Sequence, residues 1–445
     1  NTAVGALAGL AITTGVQNTL IGGLAGDALT TNGLNVAVGY GALSTEDTGS
    51  RNVAIGVSAL STQNADTTNY NVAVGYNSGA AVTTGIFNTL IGGLAGDALT
   101  DSDRNVAVGY FALSSDTLGT RSVAIGQAAL TSQNFTTATN TYNVAVGHGA
   151  GENVTTGVEN TLIGALAGDA LTDADFNVAI GSSALTSDTL GSQTTAIGRF
   201  AGYNQNFTTA TNTVNTYVGY YSGANVTTGI QNTLIGGVAG DALTIGFSNT
   251  ALGVAALGSD TAGNKNVAIG TNALIAQNFT TDTDVYNVAV GYDAGKAVTT
   301  GVGNTLIGGL AGDALTDADF NVAIGKNALS TDTLGSFSTA VGINALETQN
   351  FTTATQTYNT AIGALAGGAV TTGIKNNILG GLAGDALTEG GENVAIGTSA
   401  LTTDTKGSHT VAIGTGALET QNFTTATDTH NTAVGHAAGN KVTTG

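Results

Sequence analysis

Asn35-Val36-Ala37-Val38-Gly39-Tyr40 reads as a short strand closed by a glycine, because Val36 and Val38 alternate with the small Ala37 and Gly39 at a period of two. The unit Asn-(Val/Thr)-Ala-(Val/Ile)-Gly recurs along the whole chain. It opens at Asn1, Asn18, Asn35 and Asn52, then at Asn71, Asn88, Asn105 and Ser122, and it continues in the same grouping of four from Asn143, Asn215, Asn287 and Asn359. A last copy starts at Asn431, which makes 25. The glycine is present in every copy, and Val, Ile or Leu always precedes it. The step within a group is 17 (Asn18 to Asn35), and the step to the next group is 19 once (Asn52 to Asn71) and 21 afterwards (Asn266 to Asn287). The groups therefore follow a 72-residue superperiod, as from Asn71 to Asn143 and on to Asn215, and the first group, Asn1 to Asn71, is slightly shorter.

Units of this length are too short for a propeller blade or a helical pair, but they suit one coil of a parallel β-solenoid. Each coil places its Val and Ile over those of the previous one, building aliphatic ladders at a spacing of about 4.8 Å. A second short apolar element, Ala42-Leu43, precedes a turn rich in Thr, Ser, Asp and Gly. Helix is the competing reading of Gly22-Gly23-Leu24-Ala25-Gly26-Asp27-Ala28-Leu29. Three glycines cost roughly 1 kcal/mol each there, so it is rejected. The constant glycine, as at Gly39, Gly56, Gly75 and Gly92, marks a sharp bend or a close approach of backbones. The opening asparagine, as at Asn35, Asn52, Asn71 and Asn88, suits an amide ladder whose side chains bond to the coils above and below. Ser122, Thr194, Ser338 and Thr410 replace it with other hydrogen-bonding residues. The reading is one continuous all-β solenoid over 1–445, in superrepeats 1–70, 71–142, 143–214, 215–286, 287–358 and 359–430 with a partial 431–445.

Composition agrees with thin stacked layers. Glycine fills 67 of 445 positions and aromatic residues only 5%, while 42% hydrophobic content is too high for disorder. A net charge of −20 repels nucleic acid and anionic membranes. With charged residues at only 9%, the coat is mostly Thr, Ser, Asn and Gly, which suits an extracellular, cell-surface or virion-surface fibre. Without cysteine there is no disulfide framework and no thiolate metal site. Neither a long apolar run of membrane-spanning length nor a signal peptide is present. The chain opens inside a repeat without an initiator Met, and a processed or partial segment is expected.

Asn-Val-Ala-Val-Gly at 35–39, Asn-Val-Ala-Ile-Gly at 52–56 and Ser-Val-Ala-Ile-Gly at 122–126 resemble the head repeats of trimeric autotransporter adhesins of the YadA type. The Asn-Thr-Ala-Val-Gly units at 1–5 and 431–435 are similar to repeats of bacteriophage tail fibres and large bacterial surface proteins. The resemblance implies a left-handed parallel β-roll, often a three-chain bundle, outside a cell or virion. The coils here are a few residues longer than the family's usual repeat, and the 72-residue superperiod is not general to it.

Several residue sets are candidate sites. Asp27, Asp97, Asp169, Asp241, Asp313 and Asp385 recur in one slot, and so do Asp47, Asp116, Asp188, Asp260, Asp332 and Asp404. They are weak calcium candidates, with turn chemistry the simpler reading, since no Asp-x-Asp-x-Asp-Gly loop accompanies them. Asp101 with Asp103, Asp173 with Asp175 and Asp317 with Asp319 have the spacing of paired glycosidase carboxylates, yet active sites are seldom tiled. The expectation is no enzyme, no catalytic residue and no cofactor. Asn134, Asn206, Asn278, Asn350 and Asn422 open Asn-Phe-Thr sequons, read either as glycan acceptors or as bulged loops whose Phe folds back. His148 and His436 stand where Tyr40, Tyr76, Tyr110, Tyr220 and Tyr292 follow the constant glycine, as stacking residues. Threonine pairs such as Thr83-Thr84 skip most coils, which counts against an ice-binding lattice. The expected function is a structural extracellular fibre or filament segment that stacks end to end. The alternative is an adhesin or tail-fibre shaft binding host glycans or surface receptors. Its expected partners are copies of itself, as homotrimer or polymer, and surface glycans, with no nucleic acid and no membrane insertion.

Overall fold

The computed structural model describes residues 1–445, and every regular element in it is a strand. The chain forms two compact units, Asn1–Tyr221 and Ser222–Gly445. In the first, each coil contributes one three-residue strand, from Thr2–Val4 through Thr216–Val218; the second repeats this from Thr233–Ile235 through Thr432–Val434. Neighbouring strands are parallel and in phase, so that Val36, Ala37 and Val38 lie on Val53, Ala54 and Ile55. Coil-to-coil bonds are short: Val36 N–H donates to the Asn52 carbonyl at 2.8 Å and Gly39 N–H to the Ile21 carbonyl at 2.8 Å. The chain is a parallel β-solenoid of about 25 coils.

The aliphatic ladders form, but they face outward. The strand's central residue points into the coil, where Leu20, Ala37, Ala54, Ala73 and Leu90 are wholly buried. The flanking Val36, Val38 and Val53 are half-exposed, and Ile55 and Ile91 are exposed. The reason is space. So short a coil encloses so little volume that its centre is Ala in most coils, with Leu in the second coil of a group (Leu20, Leu90, Leu162), and the second apolar element (Ala42-Leu43, Ala59-Leu60) fills the remainder.

One exchange shows how tightly this interior is filled. In successive superrepeats a Leu at 130, 274 and 346 pairs with an Ala at 145, 289 and 361. The third superrepeat has Gly202 instead, and the following coil has Tyr217, fully buried, with its hydroxyl donating to Gln205 Oε1 at 2.9 Å. A Cβ on Gly202 would stand 2.7 Å from the Tyr217 ring. Gly202→Leu alone therefore overpacks the core and Tyr217→Ala alone leaves a cavity, each costing about 2–5 kcal/mol. The double variant recreates the Leu–Ala pair of the other repeats. Urea denaturation is expected to return it to within about 1 kcal/mol of the parent; additive losses would show that the exchange is not compensatory.

The fourth coil of each group differs because it is longer. Its extra residues form a two-residue strand beside the preceding coil, Thr139–Asn140 on Gly119–Thr120, and likewise Thr211–Asn212 on Gly191–Ser192. In the first, shorter group only the Ser50–Thr68 bridge remains.

Candidate functional site

The constant glycine has two separate reasons to be glycine. Gly39, Gly56, Gly75 and Gly92 hold φ of 139°, 139°, 143° and 135°, a region that L side chains avoid. Their missing Cβ would also point along the stack into the backbone of the next coil.

The asparagine column works differently from a side-chain amide ladder. Asn18 Oδ1 accepts the Asn35 N–H at 3.0 Å, and Asn35 Oδ1 accepts the Asn52 N–H at 3.0 Å. The other end of each amide closes its own coil: Asn35 Nδ2 donates to the Gly49 carbonyl, Asn71 Nδ2 to Gly85 and Asn88 Nδ2 to Ser102. Each asparagine thus clasps two backbone segments, which two rigid polar ends on a short stem allow. In the long fourth coil the clasp changes hands. Ser122 is too short to reach the next coil, so Thr141 bonds to it at 2.6 Å and takes the Asn143 N–H. Where Val285 removes that hydroxyl, Asn266 is restored and its Oδ1 accepts the Asn287 N–H at 3.3 Å.

The densest polar site is a buried carboxylate that the sequence presents as an exposed turn residue. Asp116 is wholly buried. Its Oδ1 accepts the Gly119 and Phe135 N–H groups, both at 3.0 Å, and its Oδ2 accepts Gln133 Nε2 at 2.6 Å. Gln133 Oε1 in turn accepts Asn143 Nδ2 at 2.9 Å. The carboxylate therefore pins the start of the elongated loop, folding Phe135 back against the coil. The same clamp is built by Asp188 with Gln205, Asp260 with Gln277, Asp332 with Gln349 and Asp404 with Gln421. In the first group the clamp residue is Glu46, not Asp47, and it takes Gln63 Nε2 at 2.9 Å and Asn69 Nδ2 at 3.0 Å. The extra methylene of Glu46 accompanies a loop two residues shorter. The sequence carries the signal as Asp-x-x-Gly with a Gln one coil step after the Asp, as Gln133 follows Asp116.

Burial pushes Asp116 and Asp188 above the ordinary carboxylate range, against the pull of their Gln and backbone donors. Burial also raises Asp97, Asp169, Asp241 and Asp313. For these acids the folded chain holds more protons than the unfolded one above about pH 4, where a free carboxyl titrates, so stability falls as pH rises through that window. The exposed ion pairs of Asp284 with Lys265 and Glu392 with Lys375 act the other way, but solvent weakens them. Acidifying from pH 7 toward pH 4 at fixed ionic strength is expected to raise the melting temperature followed by circular dichroism. A melting temperature that falls over this range would contradict the assignment.

The remaining sets do not converge. Asp27, Asp97, Asp169, Asp241, Asp313 and Asp385 stay apart, and no group of three His, Asp or Glu side chains is placed to hold a metal ion. Asp169 accepts the Thr186 hydroxyl of the next coil and Asp385 that of Thr402. The Asp pairs are bound into the stack: Asp101 Oδ1 accepts Thr84 Oγ1 at 2.5 Å and Asp103 Oδ1 the Ile86 N–H at 2.8 Å, with matching bonds at 173/175 and 317/319. Asn134, Asn206, Asn278 and Asn422 are exposed and Asn350 half-buried, while Phe135, Phe207 and Phe351 fold back into near-complete burial. Threonine hydroxyls of the turn columns donate to carbonyls of the next coil, as Thr100 does to Thr117, which takes them from any water lattice.

The corner before each asparagine carries no recurring Gly or Asn signal for its conformation but mostly large side chains, with Tyr70, Tyr142, Tyr286 and Tyr358 recurring before the first coil of a group. Non-glycine residues there adopt φ near 60°, and their side chains stack outside: Arg51 over Tyr70, Tyr70 on Phe87 at 5.6 Å, and Arg104 over Phe87. Against this geometry, neither protein-family models nor curated proteins give a match to the chain.

Proposed function

We propose that the chain is a structural segment of an extracellular fibre or filament, built to stack its own coils and to pack sideways against copies of itself. The supporting observation is the outward sheet face. In every coil the first and third strand residues face out, and across both units they are Val, Ile, Leu or Thr except for Asn377, with no charge among them. In unit 1 this face is thirteen coils tall, about 60 Å, and about 10 Å wide, hence roughly 600 Å², and the column after the glycine borders it with rings such as Tyr76 but also with Gln127, Ser182 and Arg199. Monomers rarely expose apolar patches of that size, and a stable interface takes about 800 Å² from each partner. Every polar cluster described above is spent on holding coils together, which suits a scaffold rather than a catalyst. The polar, weakly charged coat elsewhere supports a place outside a cell or on a virion.

Replacing Ile125, Ile163 and Ile197 together by Lys puts three charges on this face. Their exposed positions let the long side chains reach water, so the circular dichroism spectrum is expected to persist. In sedimentation velocity the parent is expected to run as a multimer and the variant as a 43.5 kDa monomer. A parent that is monomeric at micromolar concentration would sink the proposal.

A further inference from the structure

The residue after the constant glycine flanks the outward face, and its size alternates with the superperiod. In the first coil of a group it is a large ring in four successive superrepeats, Tyr76, His148, Tyr220 and Tyr292. In the second coil it is Gly or Ala in all six groups. The tyrosines are more than half exposed. The glycines are the unexplained part. Gly237, Gly309 and Gly381 do not hold a positive φ. A Cβ would meet nothing within 4 Å at Gly237 and Gly309, and only the Ala364 carbonyl at 3.9 Å from Gly381. Glycine without a steric or dihedral need loses about 0.5–1 kcal/mol to chain entropy. Gly23 and Gly93, in the same slot, lie against the rings of Tyr40 and Tyr110 in the chain's own next coil, but at Gly237, Gly309 and Gly381 the chain's own fold gives no reason for glycine.

A close approach from outside does. Rings and glycines lie one coil apart, about 4.8 Å, and both recur every four coils, about 19 Å. A partner that meets all of these glycines must share this period, which a second copy of the chain does. We propose that the first-coil ring of one copy seats over the second-coil glycine of its neighbour, so that copies associate only in registers differing by whole superrepeats. The inference rests on the sideways packing proposed above and adds what fixes its register. Large-into-small interdigitation is the usual way facing surfaces select one alignment, and tyrosine is favoured in such contacts. It also gives the 72-residue superperiod a purpose, since a strict single-coil repeat would let copies slip by one coil.

The chain has no cysteine, so register can be read with an introduced photo-crosslinking residue at exposed Thr271, mapping the linked positions in the neighbour by mass spectrometry. For the parent, links are expected at positions one whole superrepeat apart. In a Gly237→Leu, Gly309→Leu, Gly381→Leu variant the circular dichroism melt is expected to stay unchanged. Its association should weaken by about tenfold or more, or its links should spread to single-coil steps. Tyr292→Ala, which removes only an exposed ring, should also spread the links. Parent links at single-coil steps, or variants with unchanged links and affinity, would overturn the register alone. A parent that does not associate would overturn the sideways packing with it.

Discussion

Gly92→Ala is expected to break the stack locally, at a cost of at least about 4 kcal/mol. Two effects add. At φ 135° a Cβ forces a conformation worth about 1–3 kcal/mol of strain. That Cβ would also lie 2.5 Å from the Gly109 carbonyl oxygen and 2.7 Å from its carbon, and neither is a side chain that can turn away. Relief requires the two coils to separate, which stretches the bond from Gly109 N–H to the Ile91 carbonyl (2.7 Å) and the strand pairing of Thr89–Ile91 with Val106–Val108. In a stack of nearest-neighbour contacts the damage stays near its origin. Hydrogen exchange should accelerate first in the strands around residues 89–108 while distant coils stay protected. Gly309→Ala is the control, expected within about 0.5 kcal/mol of the parent because its Cβ meets open space. Equal stability of the two variants would refute the account of the constant glycine.

The coil, its strand and its glycine are legible because each leaves a mark that repeats: alternation at 36–38, a fixed residue at 39, a fixed step to 52. Burial is less legible. Val36-Ala37-Val38 reads the same whether Ala or Val points inward, and only the small volume of a closed coil decides for Ala37. The clamp is hidden for another reason. Asp116 and Gln133 sit in different coils, and a hydrophilic pair in a loop-like stretch looks solvent-exposed until the loop is seen to fold over it. Asp47 does not share the role of Asp116 because it stands one residue further along its coil, where the second group has Thr117; counted from the opening asparagine (Asn35, Asn105), the residue in the place of Asp116 is Glu46. The left-handed corners carry no mark of their conformation, since the residues there are mostly large and often aromatic (Tyr70, Tyr142, Tyr286, Tyr358) rather than Gly or Asn. Leu34, Arg51, Tyr70 and Glu159 share one conformation there, so tertiary stacking, not local propensity, holds it.

Asp116→Ala is expected to cost about 3–5 kcal/mol, as removal of one partner from a buried charged network does. The truncation leaves the Gly119 and Phe135 N–H groups buried without an acceptor and takes one of the two acceptors of Gln133 Nε2, which keeps only Ser122 Oγ; water has no path to replace the carboxylate while Phe135 covers the loop. Asp116→Asn keeps one oxygen for the two N–H groups but turns an amide nitrogen toward Gln133 Nε2. About half the loss is expected, and less in the double variant Asp116→Asn, Gln133→Glu, whose carboxylate can accept the new donor. Asp116→Glu tests the geometry apart from the charge. Glu46 shows that the longer acid fits the shorter fourth coil, so in the longer coil around Asp116 it should overfill the pocket by one methylene, at about 1–3 kcal/mol. Deleting two residues from that loop, down to the length beside Glu46, should then recover part of the loss. Protease cleavage after Phe135 reports the clamp directly: the elongated loop should be cut in the alanine variant well before the parent is. A loop equally resistant in both would mean that coil stacking alone holds it and that the carboxylate is dispensable.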